Sequence, residues 1–179
     1  MISTYEVEAF CSFLTLVSGG GVGYYLNWNA APESSSDFVQ EASPKVLLEH
    51  IKAQASPLVL VNFWASWCEP CKIEFPHILE IRERYATQGL KVVLVSIDDP
   101  QDRLAAENFL RAQKVDFPSF YKGQQPLKFV TEIYPQWSGA VPTTLLIGPD
   151  QKIVDAWEGD TSLQEFEKRV QRHLKIKGT

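Results

Sequence analysis

The sequence predicts an α/β domain, a mixed central β-sheet flanked by helices, and three observations carry that prediction. Leu58 to Trp64 and Lys91 to Ile97 are continuous apolar runs rich in branched residues, the pattern of strands covered on both faces. Segments with apolar residues at helical spacing stand before, between and after these runs. Late in the chain, Thr143 to Ile147 and Lys152 to Trp157 flank Gly148-Pro149-Asp150, which reads as a β-hairpin. With 179 residues, 45% hydrophobic and 22% charged, the chain can bury a sizeable core and is not of disordered composition. Its length fits one compact domain with something attached.

Taken in order, the first segment is Ala9 to Leu26, 18 residues without a charge. As a helix it would span roughly 27 Å, close to the ~30 Å hydrocarbon core of a bilayer. Glu6 and Glu8 stand where a signal peptide carries basic residues, and no A-x-A site ends the run, so an uncleaved membrane anchor is expected over residues 1–29. The competing reading is a buried N-terminal helix or hairpin of the body. Gly19 and Gly23 have a spacing that suits helix packing in a membrane. Residues 30–42 are Ser-rich and polar and read as a linker, which leaves 43–179 as the folded body.

Within the body, Ser43-Pro44 is an N-cap followed by a first-turn proline, opening a helix to about Gln54 with Val46, Leu47 and Ile51 on one side. After the strand at Leu58 to Trp64, a helix is expected from Cys68 to Ala86. The strand at Lys91 to Ile97 leads to a helix from Arg103 to Lys114, and then to a long aromatic loop from Phe117 to Val141. Beyond the hairpin, Thr161 and Gln164 form a capping box, and Leu163, Phe166, Val170 and Leu174 make the apolar stripe of the last helix. The order is α-β-α-β-α-β-β-α.

Charge narrows the partners. The chain holds 17 Lys+Arg against 22 Asp+Glu, with every basic residue at Lys45 or later, so no nucleic acid partner is expected. Three cysteines are too few for a disulfide-stapled scaffold.

Two of those cysteines carry the chemistry. In Trp67-Cys68-Glu69-Pro70-Cys71 the first cysteine falls where a strand ends and a helix begins. Free backbone N–H groups and the positive end of the helix dipole stabilise a thiolate there, lowering the thiol below its free pKa of about 8.5. Cys71, one turn further in, can close a small ring with it. Cys68 is therefore expected to attack a partner's disulfide, and Cys71 to resolve the mixed disulfide. Other uses of two cysteines fit less well. A c-type haem site needs histidine where Lys72 stands, and a structural zinc site lacks a second pair of ligands. Inert core cysteines do not suit a partly exposed strand-to-helix junction flanked by tryptophans.

The run Val61-Asn62-Phe63-Trp64-Ala65-Ser66-Trp67-Cys68-Glu69-Pro70-Cys71-Lys72 resembles the active-site signature of thioredoxin-like proteins. Its extension Ile73-Glu74-Phe75-Pro76 is similar to the membrane-anchored TlpA/ResA/CcmG branch, bacterial extracytoplasmic thiol-disulfide oxidoreductases. The resemblance spans Pro44 to Leu174 and implies a thioredoxin fold. It implies a reductase of protein disulfides, apocytochrome c among them, or general thiol upkeep, supplied by a membrane dithiol protein as electron donor. It implies no bound cofactor beyond the redox-active Cys68–Cys71 pair and no metal. Val141-Pro142-Thr143-Thr144 matches the family's loop beside the dithiol, whose proline is cis and whose preceding residue pairs with the substrate chain.

Two departures from cytosolic thioredoxins shape the site. Asn62 replaces a buried Asp and cannot transfer protons, and Glu74, one turn beyond Cys71, matches the acidic residue of the ResA-like branch. Partly shielded, its carboxylate would be raised in pKa and could take the proton of Cys71; the competing reading is a surface Glu paired with Lys. The aromatic loop is also long. It is expected to wall a substrate groove with Tyr134 and Trp137 near the dithiol, unless these rings simply cover the sheet's end, while Trp67 should lie against the dithiol. Pro76 is expected to kink the helix, and His77 to be a solvated or capping residue.

Two other functions are possible for such a pair on this fold. A copper chaperone would bind metal through the same cysteines, but it resembles this chain only with three intervening residues and a late-loop histidine, and no His lies between His77 and His173. A peroxidase needs Thr-x-x-Cys, which Ser66, two places before Cys68, does not supply.

Overall fold

The computed structural model describes residues 39–123 and 126–174, with the side chains of 126 and 127 left aside. The expected anchor over 1–29, with Cys11, Gly19 and Gly23, and the linker up to residue 38 lie outside the described residues. Among the described residues no helix is long and apolar enough to cross a membrane.

Among the described residues six strands form one sheet in the order β1-β4-β3-β2-β5-β6. The central pair is β2, Leu58–Trp64, and β3, Leu90–Ser96, which run parallel with Leu58 opposite Leu90 and Trp64 opposite Ser96. All seven residues of β2 are buried, as expected of a strand covered on both faces. On the other side β5, Thr143–Ile147, pairs antiparallel with β2 and with β6, Ile153–Glu158, through the turn at Gly148-Pro149-Asp150. Antiparallel pairing of β5 makes the sheet mixed. The turn that leads into β3 closes tightly: Gly89 has φ +94°, and a Cβ there would lie 2.8 Å from the Pro57 ring.

Among the described residues five α-helices flank the sheet. Helix α1, Pro44–Ala53, opens on Ser43, whose hydroxyl accepts from Val46 N at 3.3 Å. Helix α2, Glu69–Tyr85, follows β2 directly, with Cys68 as its N-cap, and continues through Pro76. Helix α3, Arg103–Ala112, sends Phe109 into a cluster with Trp64 of β2 and Phe75 of α2, ring centroids 4.9 to 5.4 Å apart. Helix α5, Leu163–Leu174, packs against α2 and buries Phe166 and Val170.

Three elements depart from the sequence reading. Val39–Glu41, placed in the linker, is β1, and it pairs parallel with β4, Ser119–Tyr121, itself placed in the aromatic loop. Both strands have three residues, too short to show a period. The Arg103 guanidinium donates to Val39 O at 2.9 Å and helps hold the short edge strand in place. The same loop holds α4, Pro126–Ile133, which packs on α1. Its proline at the first turn and its buried Phe129, Val130 and Ile133 at helical spacing were the readable signal. The cap of α5 also differs: Ser162, not Thr161, accepts from the backbone, its hydroxyl taking Glu165 N at 3.3 Å. Thr161 is engaged elsewhere, by Glu74 and His77.

The Trp64–Phe75–Phe109 cluster seats the first turns of α2 on the sheet. Phe75 is fully buried, so Phe75→Ala should destabilise the protein by about 3 to 5 kcal/mol, read as a lower urea midpoint with an unchanged slope.

Candidate active site

The site lies where β2 gives way to α2. Trp64 ends the strand, its carbonyl accepting from Ile97 N at 2.8 Å, and the chain turns through Ala65 to Cys68, closed by Cys68 N donating to Ala65 O at 3.1 Å. Asp98, fully buried, fixes that turn. Its two carboxylate oxygens each accept from Ser66 N at 3.0 Å, and the hydroxyls of Ser66 and Ser96 donate to it at 2.6 Å. Sequence reasoning missed Asp98, which lies 30 residues from Cys68 in the chain and beside its loop in the fold.

Cys68 and Cys71 are joined by a disulfide, with Cα atoms 5.3 Å apart. Cys68 takes the capping position that a Ser or Asp would fill elsewhere, and its Sγ lies 3.2 Å from Cys71 N. A backbone N–H aimed at sulfur at a helix start favours a negative charge on that atom once the bond opens. The pair is less exposed than the sequence suggested: Cys68 is 4% and Cys71 1% accessible. The Val141 carbonyl, 3.5 Å from Cys68 Sγ, is one of the groups that cover it. Glu69 is solvent-facing and paired with Lys72 at 2.6 Å.

Val141-Pro142 is a cis peptide. Pro142 is buried and Val141 half-buried, and Pro142 O accepts from Gly159 N at 2.9 Å. The expected place of Trp137 on a groove wall is corrected by its burial, 8% accessible, and by its bonds. Its Nε1 donates to Ala140 O at 2.7 Å and to Thr143 Oγ1 at 3.1 Å, so the indole braces the proline loop from within. Tyr134 is half-buried against the core. Glu158 holds the same loop from β6, accepting from Ser138 N at 2.8 Å and from the Ser138 hydroxyl. Trp67 is 59% exposed, so most of its ring faces solvent rather than covering the disulfide.

Glu74 is 1% accessible, which overturns the surface reading of this residue. Its Oε1 accepts from Asn62 Nδ2 at 2.9 Å and its Oε2 from Thr161 N at 3.1 Å. Burial raises its pKa to about 7; the two hydrogen bonds oppose that rise, and the charge of Asp160 adds to it. His77 Nδ1 lies 3.2 Å from Thr161 O, so the residue whose N–H holds Glu74 is itself held by α2. Asn62 also donates to Thr144 Oγ1 at 3.0 Å, which ties the centre of β2 to β5. Among the described residues no group of three or more His, Cys, Asp or Glu is placed to hold a metal ion.

A mixed sheet with a disulfide at the head of the helix after its central strand, faced by a cis X-Pro, defines a thioredoxin-like thiol-disulfide oxidoreductase. The chain belongs to the AhpC/TSA family, whose profile matches residues 30–156. It is 29% identical over 153 residues to the thiol-disulfide oxidoreductase ResA of Bacillus subtilis, covering 82% of this chain and 80% of the relative. It is 28% identical over 169 residues to ResA of Oceanobacillus iheyensis, covering 88% and 84%. Among solved structures it is similar to a DsbE-like thiol:disulfide interchange protein from Chlorobium tepidum, with a TM-score of 0.59, 25% identity and 69% and 84% of the two chains covered. Its fold is also that of StoA from Bacillus subtilis, with a TM-score of 0.54, 22% identity and 64% and 83% covered.

The buried carboxylate gives a pH signature. A folded-state pKa of about 7 against an ordinary 4.5 means that folding is unpenalised by Glu74 below pH 4.5 and loses stability as pH rises through 7. The difference corresponds to about 3 kcal/mol, so wild type minus Glu74→Gln should show a stability decline of that order between pH 4.5 and 8, measured by urea midpoints across that range.

Proposed function

We propose that the chain is a reductase of protein disulfides working outside the cytoplasmic membrane of a bacterial cell, held there by its N-terminal apolar segment. The single observation that carries the reductive mechanism is Cys68 Sγ at the start of α2, 3.2 Å from Cys71 N. In the reduced protein the Cys68 thiolate attacks one sulfur of a substrate disulfide, and the substrate's other sulfur leaves as a thiolate. Cys71 then attacks Cys68 Sγ, and the second substrate sulfur departs as the Cys68–Cys71 bond forms. The proton of Cys71 goes to Glu74, whose pKa of about 7 suits a base working near neutrality. Two electrons pass to the substrate, and a membrane dithiol protein returns the pair to the reduced state.

Several features support this reading. The names of the ResA relatives describe thiol-disulfide exchange, and the Glu69-Pro70 dipeptide between the cysteines resembles reducing rather than strongly oxidising members. Val141 and Trp67 are the residues proposed to meet the substrate chain, the first through backbone groups beside Cys68 and the second through its exposed ring. The substrate class proposed is an extended polypeptide carrying a disulfide, apocytochrome c included.

Cys71→Ala should trap substrates on Cys68 as mixed disulfides that reductant releases. Identifying them from the source cell names substrate and compartment together, and recovery of cytoplasmic proteins alone would refute the location. In the otherwise intact protein, Glu74→Gln should slow resolution by Cys71 about 100-fold at neutral pH while leaving attack by Cys68 within a few-fold, followed by single-turnover quenching. An unchanged resolution rate removes Glu74 from the proton path.

A further inference from the structure

The network around Glu74 is satisfied for only one protonation state. With the carboxylate charged, both of its recorded partners are donors: Asn62 Nδ2 at 2.9 Å and Thr161 N at 3.1 Å. Neither partner can accept a proton from the carboxyl through the N–H it presents. Asn62 itself carries unused acceptor capacity, since its Oδ1 is buried and has no hydrogen-bond partner. A buried carbonyl oxygen without a partner costs about 1 to 3 kcal/mol, so its presence beside a titrating group calls for an account. The two ends of an amide are nearly equal in size, so the side chain can turn end for end without displacing its neighbours.

We propose that Asn62 is a positioning residue that inverts its amide whenever Glu74 gains or loses a proton, giving the buried carboxyl a hydrogen-bond partner in both states. This rests on Glu74 being the proton acceptor for Cys71. With Glu74 charged, Nδ2 donates to Oε1 and to Thr144 Oγ1, as in the structure. With Glu74 protonated, Oδ1 takes the place of Nδ2, accepts the carboxyl proton and accepts from the Thr144 hydroxyl. The proton passes only from Cys71 Sγ to Glu74; Asn62 exchanges hydrogen bonds and no covalent bond changes at it. An Asp at this position would put a second carboxylate against Glu74, whereas Asn supplies donor and acceptor with no charge. The other groups that bear on Glu74 are Asp160 in the β6–α5 connection, His77 of α2 through the Thr161 peptide, and Thr144 of β5 through Asn62.

The test is a side-chain amide NMR titration of the full chain, kept oxidised so that neither thiol titrates, from about pH 5 to about pH 9. The Asn62 Nδ2 resonances should shift with a single midpoint shared with the Glu74 carboxyl carbon. Their through-space contact with the Thr144 hydroxyl should be lost on the acid side, and Glu74→Gln should abolish the shift. An Asn62 amide that stays unmoved, whether or not the carboxyl titrates, overturns the proposal. The underlying reading fails separately: resolution by Cys71 unchanged in Glu74→Gln, alongside an amide that inverts, removes the proton acceptor and leaves the inversion standing.

Discussion

Everything at this site depends on one N–H group. Cys71 N points at Cys68 Sγ because Cys68 occupies the capping position of α2, and it does so because β2 ends at Trp64 with only a short turn before the helix. A sulfur in that place meets unpaired backbone donors that nothing else in the helix uses. The sheet exists, in functional terms, to deliver that turn: β2 is buried along its whole length, pinned by β3 and β5, and its exit is fastened by a carboxylate reaching over from the end of β3. Loss of the turn's geometry would leave an ordinary cysteine on an ordinary helix.

The second constraint is a carboxyl group in a place where water does not reach. Glu74 lies one turn beyond Cys71 on a helix that carries most of its charged residues on the outside, yet it is buried, bonded to β2 and to the approach to α5. Desolvation outweighs the donors that surround it, which leaves the group poised rather than permanently charged. With Asn62 in β2, the buried carboxyl stands on the helix rather than on the strand, and its side-chain partner carries no charge. Trading the acid for an amide lets one uncharged side chain serve strand pairing and carboxyl solvation together.

How much of this could be read from the chain alone differs by length scale. The long buried strands, α1, α2 and α5 declare themselves, because burial on both faces and a helical stripe leave a pattern over seven or more residues. That Cys68, Cys71 and Glu74 share the start of one helix was legible because their spacing is local. The three-residue strands β1 and β4 were not, since their place in the sheet is set by partners: Val39 lies opposite Ser119, 80 residues away. Nor was Asp98, an acid at the end of a strand that differs in no local way from Asp99 beside it, which is mostly exposed and reaches Lys122. Trp137 was expected on a groove wall and instead lies buried within its loop, because a tryptophan's sequence position does not say whether its ring braces a turn or faces a ligand.

The connection from β6 to α5 is short, and two amides within it, on either side of Asp160, reach to different groups: Gly159 N holds the carbonyl of Pro142, and Thr161 N holds Glu74. The cis-proline loop and the buried carboxyl are thus harnessed to a single strap of three residues. A tug on one end is transmitted to the other through covalent backbone rather than through packing, so a change in this strap would shift both at once.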